Sequence, residues 1–279
     1  MKKRNLVLSV MATCLVSCFL LSGCNGQKQI DSETVKTVKV EEQAHLQDDT
    51  VSPTCQITID YSYLAKSDAA DSIVQRINRT IQAHILGKEY TRMNPEVAVD
   101  SFKNTYINNY RKDVNEFYQE DIKNGTPKDE LPTWYNYEYG LTTYFSEGKE
   151  GILNFIAETF EYTGGAHPNS WNKWMNFEKN TGKLLALKDV FMAGSEKPIS
   201  DMLLEELITE MATRLEDSSI TSLEGLQNAG ILNSTNMYVP DNFLLEKEKV
   251  SFLYNKYDIA PYAVGIITLS LPYTSVEDR

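Results

Sequence analysis

Histidine is scarce in this sequence of 279 residues, which contains three of them. His45, His84 and His167 are far apart along the chain, and no His-x-x-x-His pair is present. A histidine-rich zinc site needs several such ligands, so the sequence lacks the residues for one. The Gly-x-Ser-x-Gly, Walker A and Gly-x-Gly-x-x-Gly motifs are also absent. We therefore expect neither a metal nor a cofactor.

The first 24 residues have the composition of an export signal. Three basic residues at positions 2–4 precede an uncharged apolar run, which ends in Leu21-Ser22-Gly23-Cys24. This ending resembles the processing site of bacterial lipoproteins, which implies cleavage before Cys24 and lipidation of that residue; an ordinary secretory signal is the alternative. We expect a lipid anchor on Cys24 in the cell envelope, on the outer membrane and facing the periplasm.

Basic residues are few once this signal is removed. Residues 1–23 carry three basic and no acidic side chains, so the remainder has 24 basic and 39 acidic residues and a net charge of −15. This charge argues against nucleic-acid binding and against electrostatic adhesion to anionic lipid. It would suit a basic partner, although solubility alone also explains it.

Cysteine is equally scarce in the processed chain. Cys14 and Cys18 leave with the signal and Cys24 is the anchor, so Cys55 alone remains. An intramolecular disulfide and a cysteine zinc cluster are thereby excluded. Cys55 begins an apolar stretch, which favours a buried structural thiol.

Periodicity predicts an α+β fold with an antiparallel sheet, helices packed on one face and two interlocked subdomains. We expect a signal peptide over 1–23, a flexible tether over 24–50, an N-terminal domain over 51–160 and a C-terminal domain over 161–279. The expected elements are a strand over 55–64, helices over 67–87 and 94–123, strands from 134, 151 and 171, a helix over 198–215, a short helix with a Thr221 and Glu224 capping box, and strands near 237–245, 249–254 and 263–271.

The segment 161–191 contains the most suggestive side chains. Gly164 and Gly165 are expected to supply positive φ at a turn between strands, followed directly by His167. Trp171 and Trp174 have opposite parity on the next strand, so at least one of them should face away from the core. We take Tyr162, His167, Trp171 and Trp174 as candidate binding residues, because exposed aromatics stack on sugars or anchor protein partners.

Acidic side chains in this region leave a catalytic alternative open. Glu158 and Glu161 lie on the strand before the loop, and Asp189 follows it. Glycoside hydrolysis needs only two carboxyl groups at a fixed separation. Because 39 acidic residues make chance pairs certain, solvated carboxylates on a strand are the simpler interpretation.

Two sequence blocks resemble a known family. The block "YTGGAHPNSWNKWMNFEKNTGKLLALKDVF" and the closing block "VSFLYNKYDIAPYAVGIITLSLPY" are similar to the extracytoplasmic family of unknown function numbered 3298. With its usual N-terminal partner domain, this resemblance covers nearly all of residues 51–276. The same pair of domains forms the outer part of an anti-sigma factor that senses lysozyme and the front part of a peptidoglycan deacetylase.

The resemblance implies a binding module rather than an enzyme. The deacetylase carries its catalytic domain after the pair, and this sequence ends at Arg279 without one. We therefore expect a lipid-anchored envelope protein without catalytic activity that binds a lysozyme-like secreted protein or a cell-wall glycan. The alternative is a cell-wall glycan hydrolase that uses Glu158, Glu161 and Asp189.

Overall fold

The computed structural model describes residues 35–65 and 71–276, and its fold class is α+β as the sequence predicted. Five strands form one sheet in the order β1-β2-β3-β4-β5, and three form a second sheet in the order β6-β7-β8. Neighbouring strands are antiparallel except β2 and β3, which run parallel and are joined by a long helical connection. The strands are β1 Val35–His45, β2 Thr54–Leu64, β3 Tyr137–Glu147, β4 Ile152–Tyr162, β5 Asn169–Glu178, β6 Phe243–Leu245, β7 Lys249–Tyr254 and β8 Ile267–Pro272.

Six α-helices accompany the sheets in the described residues. They are α1 Asp71–Ile85, α2 Pro95–Lys123, α3 Leu187–Val190, α4 Glu196–Arg214, α5 Leu223–Asn228 and α6 Tyr273–Val276. The predicted cap of α1, Ser67, lies outside the described residues. None of the helices described is both long enough and apolar enough to cross a bilayer.

Helix α2 begins where the sequence predicts. The side chain of Asn94 accepts a hydrogen bond from the backbone N–H of Glu96, and Pro95 occupies the first turn. The buried face of α2 differs from the predicted one at the C-terminal end of the helix. Tyr118 is buried there, whereas Phe117, which the periodicity places on the buried face, is 52% exposed.

The predicted tether over 24–50 is wrong from residue 35 onward. Residues 35–45 form β1, which pairs along its whole length with β2 at the edge of the first sheet. Val38, Val40 and Ala44 face the core from positions of the same parity, whereas Lys39, Glu41 and Gln43 between them are exposed and polar. The residues on the exposed face of β1 are therefore polar, as in a linker, although the strand is part of the sheet. Residues 24–34 of the predicted tether lie outside the described residues.

Two hydrophobic cores divide the described chain. The first lies between the five-stranded sheet and helices α1 and α2, and includes Ile57, Phe155 and Phe177. The second lies between α4 and the three-stranded sheet, with Leu203 at its centre. The predicted boundary at 160/161 falls inside β4, and β5 completes the first sheet, so the change of core comes after residue 184.

Two C-terminal details also differ from expectation. The cap of α5 is Ser222, whose side chain accepts a hydrogen bond from the backbone N–H of Gly225, and not Thr221. The strand expected near 237–245 is limited to Phe243–Leu245. The residues before it take part in the junction between the two sheets.

Asparagine side chains join the two sheets along β5. Asn242 accepts from the backbone N–H of Trp174 at 2.7 Å and donates to the carbonyl of Asn172 at 2.8 Å. Asn255 accepts from the backbone N–H of Asn172 at 2.7 Å. The buried side chain of Asn176 reaches the other way, bonding Leu245 N and Phe243 O of β6. These contacts satisfy the open edge of β5 without extending the sheet.

Candidate functional site

The loop between β4 and β5 is held against Trp134. Gly164 has φ +86°, and a Cβ at this position would lie 2.5 Å from the carbonyl oxygen of Trp134. Only glycine fits both the backbone conformation and the close approach. Gly165 does not have positive φ, so the sequence prediction holds for the first glycine and is wrong for the second.

His167 lies on the surface and contacts the C-terminal part of the chain. Its ring stacks on Tyr262 with centroids 3.8 Å apart, and its Nε2 lies 3.3 Å from the hydroxyl of Tyr257. The hydroxyl of Tyr262 donates to the carbonyl of Pro168 at 2.8 Å. The two family-like sequence blocks therefore meet at this point, with His167 between them.

The turn over residues 255–258 forms the other side of this contact. The backbone N–H of Asn255 donates to the Asp258 carboxylate at 2.7 Å, which closes the turn. Tyr257 has φ +71° and is 61% exposed, an unfavourable backbone conformation for a bulky residue. Lys256 places its ammonium 4.3 Å from the centre of the Tyr262 ring.

A cavity of about 380 Å³, which we call the junction cleft, lies next to this turn. It is lined by the C-terminal end of α1, the helix-facing side of β3, β4 and β5, and the segments around β6 and β7. The cleft therefore belongs to both subdomains. Its polar and aromatic lining residues are His84, Tyr139, Thr159, Trp171, Asn172, Lys173, Tyr238, Asp241, Asn242, Asn255 and Asp258.

The four binding candidates are divided among different surfaces. Trp171 lines the junction cleft, opposite Thr159 in the β4–β5 ladder. Trp174 is opposite Ile156 and lies on the other face of the sheet, as its parity predicted. His167 belongs to the neighbouring loop contact. Tyr162 ends β4 opposite Glu138 and does not line the cleft.

Charged groups of both signs line the junction cleft. Burial, with the positive charges of Lys173 and Lys88 adding to it, lowers the pKa of His84 below its ordinary value of 6.5. The neutral imidazole can both donate and accept a hydrogen bond. The carboxylates are Asp241 and Asp258. Over the described ranges 35–65 and 71–276, no group of three or more His, Cys, Asp or Glu side chains is arranged to hold a metal ion.

The three carboxylates of the hydrolase alternative do not converge. Glu158 and Glu161 are three residues apart on β4, so their side chains lie on opposite faces of the sheet. Glu161 accepts from the hydroxyl of Tyr106 on α2 at 2.9 Å, whereas Glu158 lies 3.3 Å from the hydroxyl of Tyr144 on the other face. Asp189 is bonded to Lys183 and to the backbone N–H of Ala186. The proposed pairing of these residues is therefore wrong.

Other aromatic side chains of this region, and Cys55, belong to the first core. Tyr135 and Tyr139 are buried there, and Trp134 packs on Tyr135 with ring centroids 4.2 Å apart. Cys55 is fully buried, as predicted, and burial raises the pKa of its thiol to about 12. Because thiolate is the reactive form, this cysteine is chemically inert at neutral pH.

Sequence reasoning missed most of the residues that line the junction cleft. Tyr238, Asp241, Asn255 and Asp258 carry no motif, and the helical pattern places His84 only at the edge of the core. The second family-like block contains Asn255 and Asp258 but neither Tyr238 nor Asp241. The cleft is assembled from segments up to about 170 residues apart in sequence, and no local pattern reports such proximity.

These features define an α+β protein of two subdomains joined by a polar seam, and both subdomains match known families. Residues 188–274 match the family described as protein of unknown function (DUF3298). Residues 50–170 match the family described as deacetylase PdaC. The chain thus matches, one after the other, the two domains that the sequence blocks indicated, and the second of them is a family of unknown function. No curated protein matches the sequence.

Two solved structures share this fold. A DUF3298-family member from Bacteroides fragilis is 29% identical, with a TM-score of 0.79 over 90% of this chain and 94% of its own. A DUF3298-family protein from Pseudomonas aeruginosa is 16% identical, with a TM-score of 0.57 over 87% of this chain and 92% of its own. The second similarity concerns the fold alone.

Proposed function

We propose that this protein is a lipid-anchored binding protein of the cell envelope, and that its junction cleft binds a cell-wall glycan. The observation that carries the proposal is Trp171, a half-buried indole on the wall of a cavity whose lining includes amide, hydroxyl and carboxylate groups beside the apolar side chains of Ile85, Pro240 and Leu253. Aromatic faces stack on the apolar faces of sugar rings, while the surrounding polar groups bond the hydroxyls. The cavity volume of about 380 Å³ is within the usual range for small-ligand sites.

Binding without turnover is the activity we assign. The carboxylates that a hydrolase would use near the loop lie on opposite sheet faces and are engaged by Tyr106 and Tyr144. The match to the PdaC family supports a cell-wall ligand, because the sequence resemblance connects this domain with a peptidoglycan enzyme. The polar lining of the cleft suits an uncharged or weakly charged sugar.

Calorimetry with soluble peptidoglycan fragments tests the cleft directly. Trp171→Ala should weaken binding about tenfold, since an aromatic contact of this kind contributes about 1 kcal/mol or more. Tyr144→Ala is the matched control, because Tyr144 is an exposed aromatic on the opposite face of the same sheet. Equal losses in both variants, or no binding by the unmodified chain, would contradict the assignment.

A basic secreted protein, such as a lysozyme-like enzyme, is the second candidate. The observation that favours it is the net charge of −15 expected after removal of residues 1–23. Such binding should weaken steeply as salt is raised from low ionic strength, because long-range attraction is screened. Sugar binding in the cleft should change little under the same conditions, so a salt series separates the two ligands.

The anchor at Cys24 has its own test. Mass spectrometry of protein extracted from membranes should find an N-terminus at Cys24 that carries lipid. Cys24→Ser should release the protein from the membrane fraction while leaving glycan binding unchanged. An unmodified N-terminus upstream of Cys24 would refute the anchor without affecting the cleft.

A further inference from the structure

The two edges of the five-stranded sheet differ in whether other residues bond their outward backbone groups. At β5, Asn242 and Asn255 bond the backbone of residues 172 and 174, and the segment 183–185 bonds residues 176 and 178. At β1, no described residue bonds the outward backbone groups of residues 37, 39, 41 and 43. An exposed strand edge of this regularity is a template for another strand.

The register with β2 shows which residues of β1 direct their backbone N–H and C=O groups away from the sheet. The backbone N–H of Leu46 donates to the carbonyl of Pro53, which continues the β1–β2 ladder by one pair. Hydrogen-bonded pairs alternate along an antiparallel ladder, so the even residues of β1 bond β2 and the odd residues point outward. The side chain of Arg111 donates to the outward carbonyl of His45, consistent with this assignment.

The charges on β1 are self-complementary about Val40. Lys36 and Lys39 precede this residue, and Glu41 and Glu42 follow it. If a second β1 lies antiparallel with Val40 opposite Val40, each Lys39 is directly opposite the other copy's Glu41. Each Lys36 then lies diagonal to a Glu42, within reach of long side chains. The same register pairs outward residues with outward residues, which the hydrogen bonds require.

We propose that two copies of this chain pair through β1, antiparallel and centred on Val40, to join their sheets into one. Pairing extends over residues 37–43, because Arg111 occupies the next outward carbonyl at His45. The contact consists of backbone hydrogen bonds and four ion pairs around a small apolar centre. The dimer is therefore expected to be weak in dilute solution and favoured where copies are concentrated.

Disulfide trapping tests the register. Residue 40 would face its own copy in a non-hydrogen-bonded pair, where Cα atoms are about 4.5 Å apart and within the range that a disulfide needs. Full-length Val40→Cys should form a covalent dimer under mild oxidation, about tenfold above wild type. The native Cys55 is buried and does not compete.

Val38→Cys is the matched control. It changes the same residue type on the same face of the same strand, and both valines are half-buried. In the proposed register the two copies of residue 38 are roughly 13 Å apart along the strands, too far for a disulfide. This variant should remain at the wild-type background. Equal trapping of both variants would overturn the register.

Charge exchange tests the ion pairs. Glu41→Lys in the Val40→Cys background should reduce trapping several-fold, because it puts Lys39 opposite a lysine. Adding Lys39→Glu should restore the lost dimer, although it breaks the internal contact of Lys39 with Asp60. Failure of the double variant to recover would overturn the proposal. Absence of any trapped dimer would also overturn it and would indicate that another segment of the same chain covers β1.

Discussion

Gly164 shows how one residue sets the position of the candidate site. Its positive φ and the absence of a Cβ let the β4–β5 loop lie directly on the backbone of Trp134. From there the chain reaches His167, whose ring is stacked on Tyr262. The loop therefore fixes the turn at residues 255–258, which supplies two lining residues of the junction cleft.

Gly164→Ala should destabilise the protein by about 2–4 kcal/mol, from left-handed strain and overpacking against Trp134. Gly165→Ala is the neighbouring control: its φ is not positive and the nearest atom would be 3.7 Å from the new Cβ. Its free energy of unfolding should change by no more than about 0.5 kcal/mol. Urea denaturation of both variants measures the difference, and similar losses would refute the role assigned to Gly164.

His84 should titrate below 6.5 because burial and the charges of Lys173 and Lys88 disfavour its charged form. A pKa lowered by folding means that His84 supports stability above pH 6.5, and that this contribution is lost as the pH falls through its folded-state pKa. An NMR titration of the imidazole resonances measures the midpoint.

Lys173→Gln should raise the His84 pKa without restoring it fully, since burial is the larger cause. Lys39→Gln, a change of the same charge outside the cleft, should leave the midpoint unchanged. A midpoint at or above 6.5 in the unmodified protein would contradict the environment described for the cleft.

At the scale of elements, β5 serves both subdomains. One edge of β5 pairs with β4 and completes the first sheet. Its other edge is bonded by the side chains of Asn242 and Asn255 and by the 183–185 segment. Asn176 contributes most to this junction, because its buried side chain bonds both a donor and an acceptor of β6. Beside the cleft, the side chains of Asn242 and Asn255 cover the edge of β5 at residues 172 and 174, whereas the backbone of the 183–185 segment covers it farther along.

Asn176→Ala should cost about 2–4 kcal/mol, because the N–H of Leu245 and the carbonyl of Phe243 would both be left buried without partners. Asn172→Ala is the control on the same strand and with the same parity. Its backbone joins the seam, but its side chain makes no hydrogen bond within the described residues, so little stability should be lost. Thermal and urea unfolding of both variants would settle whether the side chain at 176 holds the seam.

At the scale of the whole molecule, two apolar cores are connected by a polar seam. The first core includes residues up to Leu184, and the second includes residues from Leu185 onward together with Ile152 of β4. Polar interfaces within a chain allow the parts to open separately, because little apolar surface is shared between them. We therefore expect two cooperative units in place of one.

Leu203→Ala tests this expectation, because Leu203 is fully buried in the second core. The free energy of opening measured by amide hydrogen exchange should fall by about 2–5 kcal/mol in β7 and β8, while that of β2 and β3 should change little. Phe155→Ala, in the first core, should give the reverse pattern. A uniform loss over both sheets in either variant would show a single cooperative unit.

Most helices and strands follow from local sequence patterns. The cap and proline at Asn94-Pro95, the period-two stretches around β3 to β5 and the apolar stripe of α4 each identify their element, because helix and strand faces repeat at fixed intervals. β1 was missed, since an edge strand with one buried face has half of its residues polar. The predicted cap of α5, Thr221, is one residue away from the observed cap, Ser222, because periodicity does not define a helix end to a single residue.

The sequence by itself determined the acidic charge, the number of cysteines and histidines, and the α+β class, because composition and periodicity are local properties. Only the tertiary structure decided that Glu158 and Glu161 are separated, that Trp171 and not Trp174 lines the junction cleft, and that His84, Asp241 and Asp258 line the same cleft. Those relations depend on which distant segments the asparagine seam brings together. Packing in three dimensions brings these residues together, and it produces no periodic pattern in the sequence.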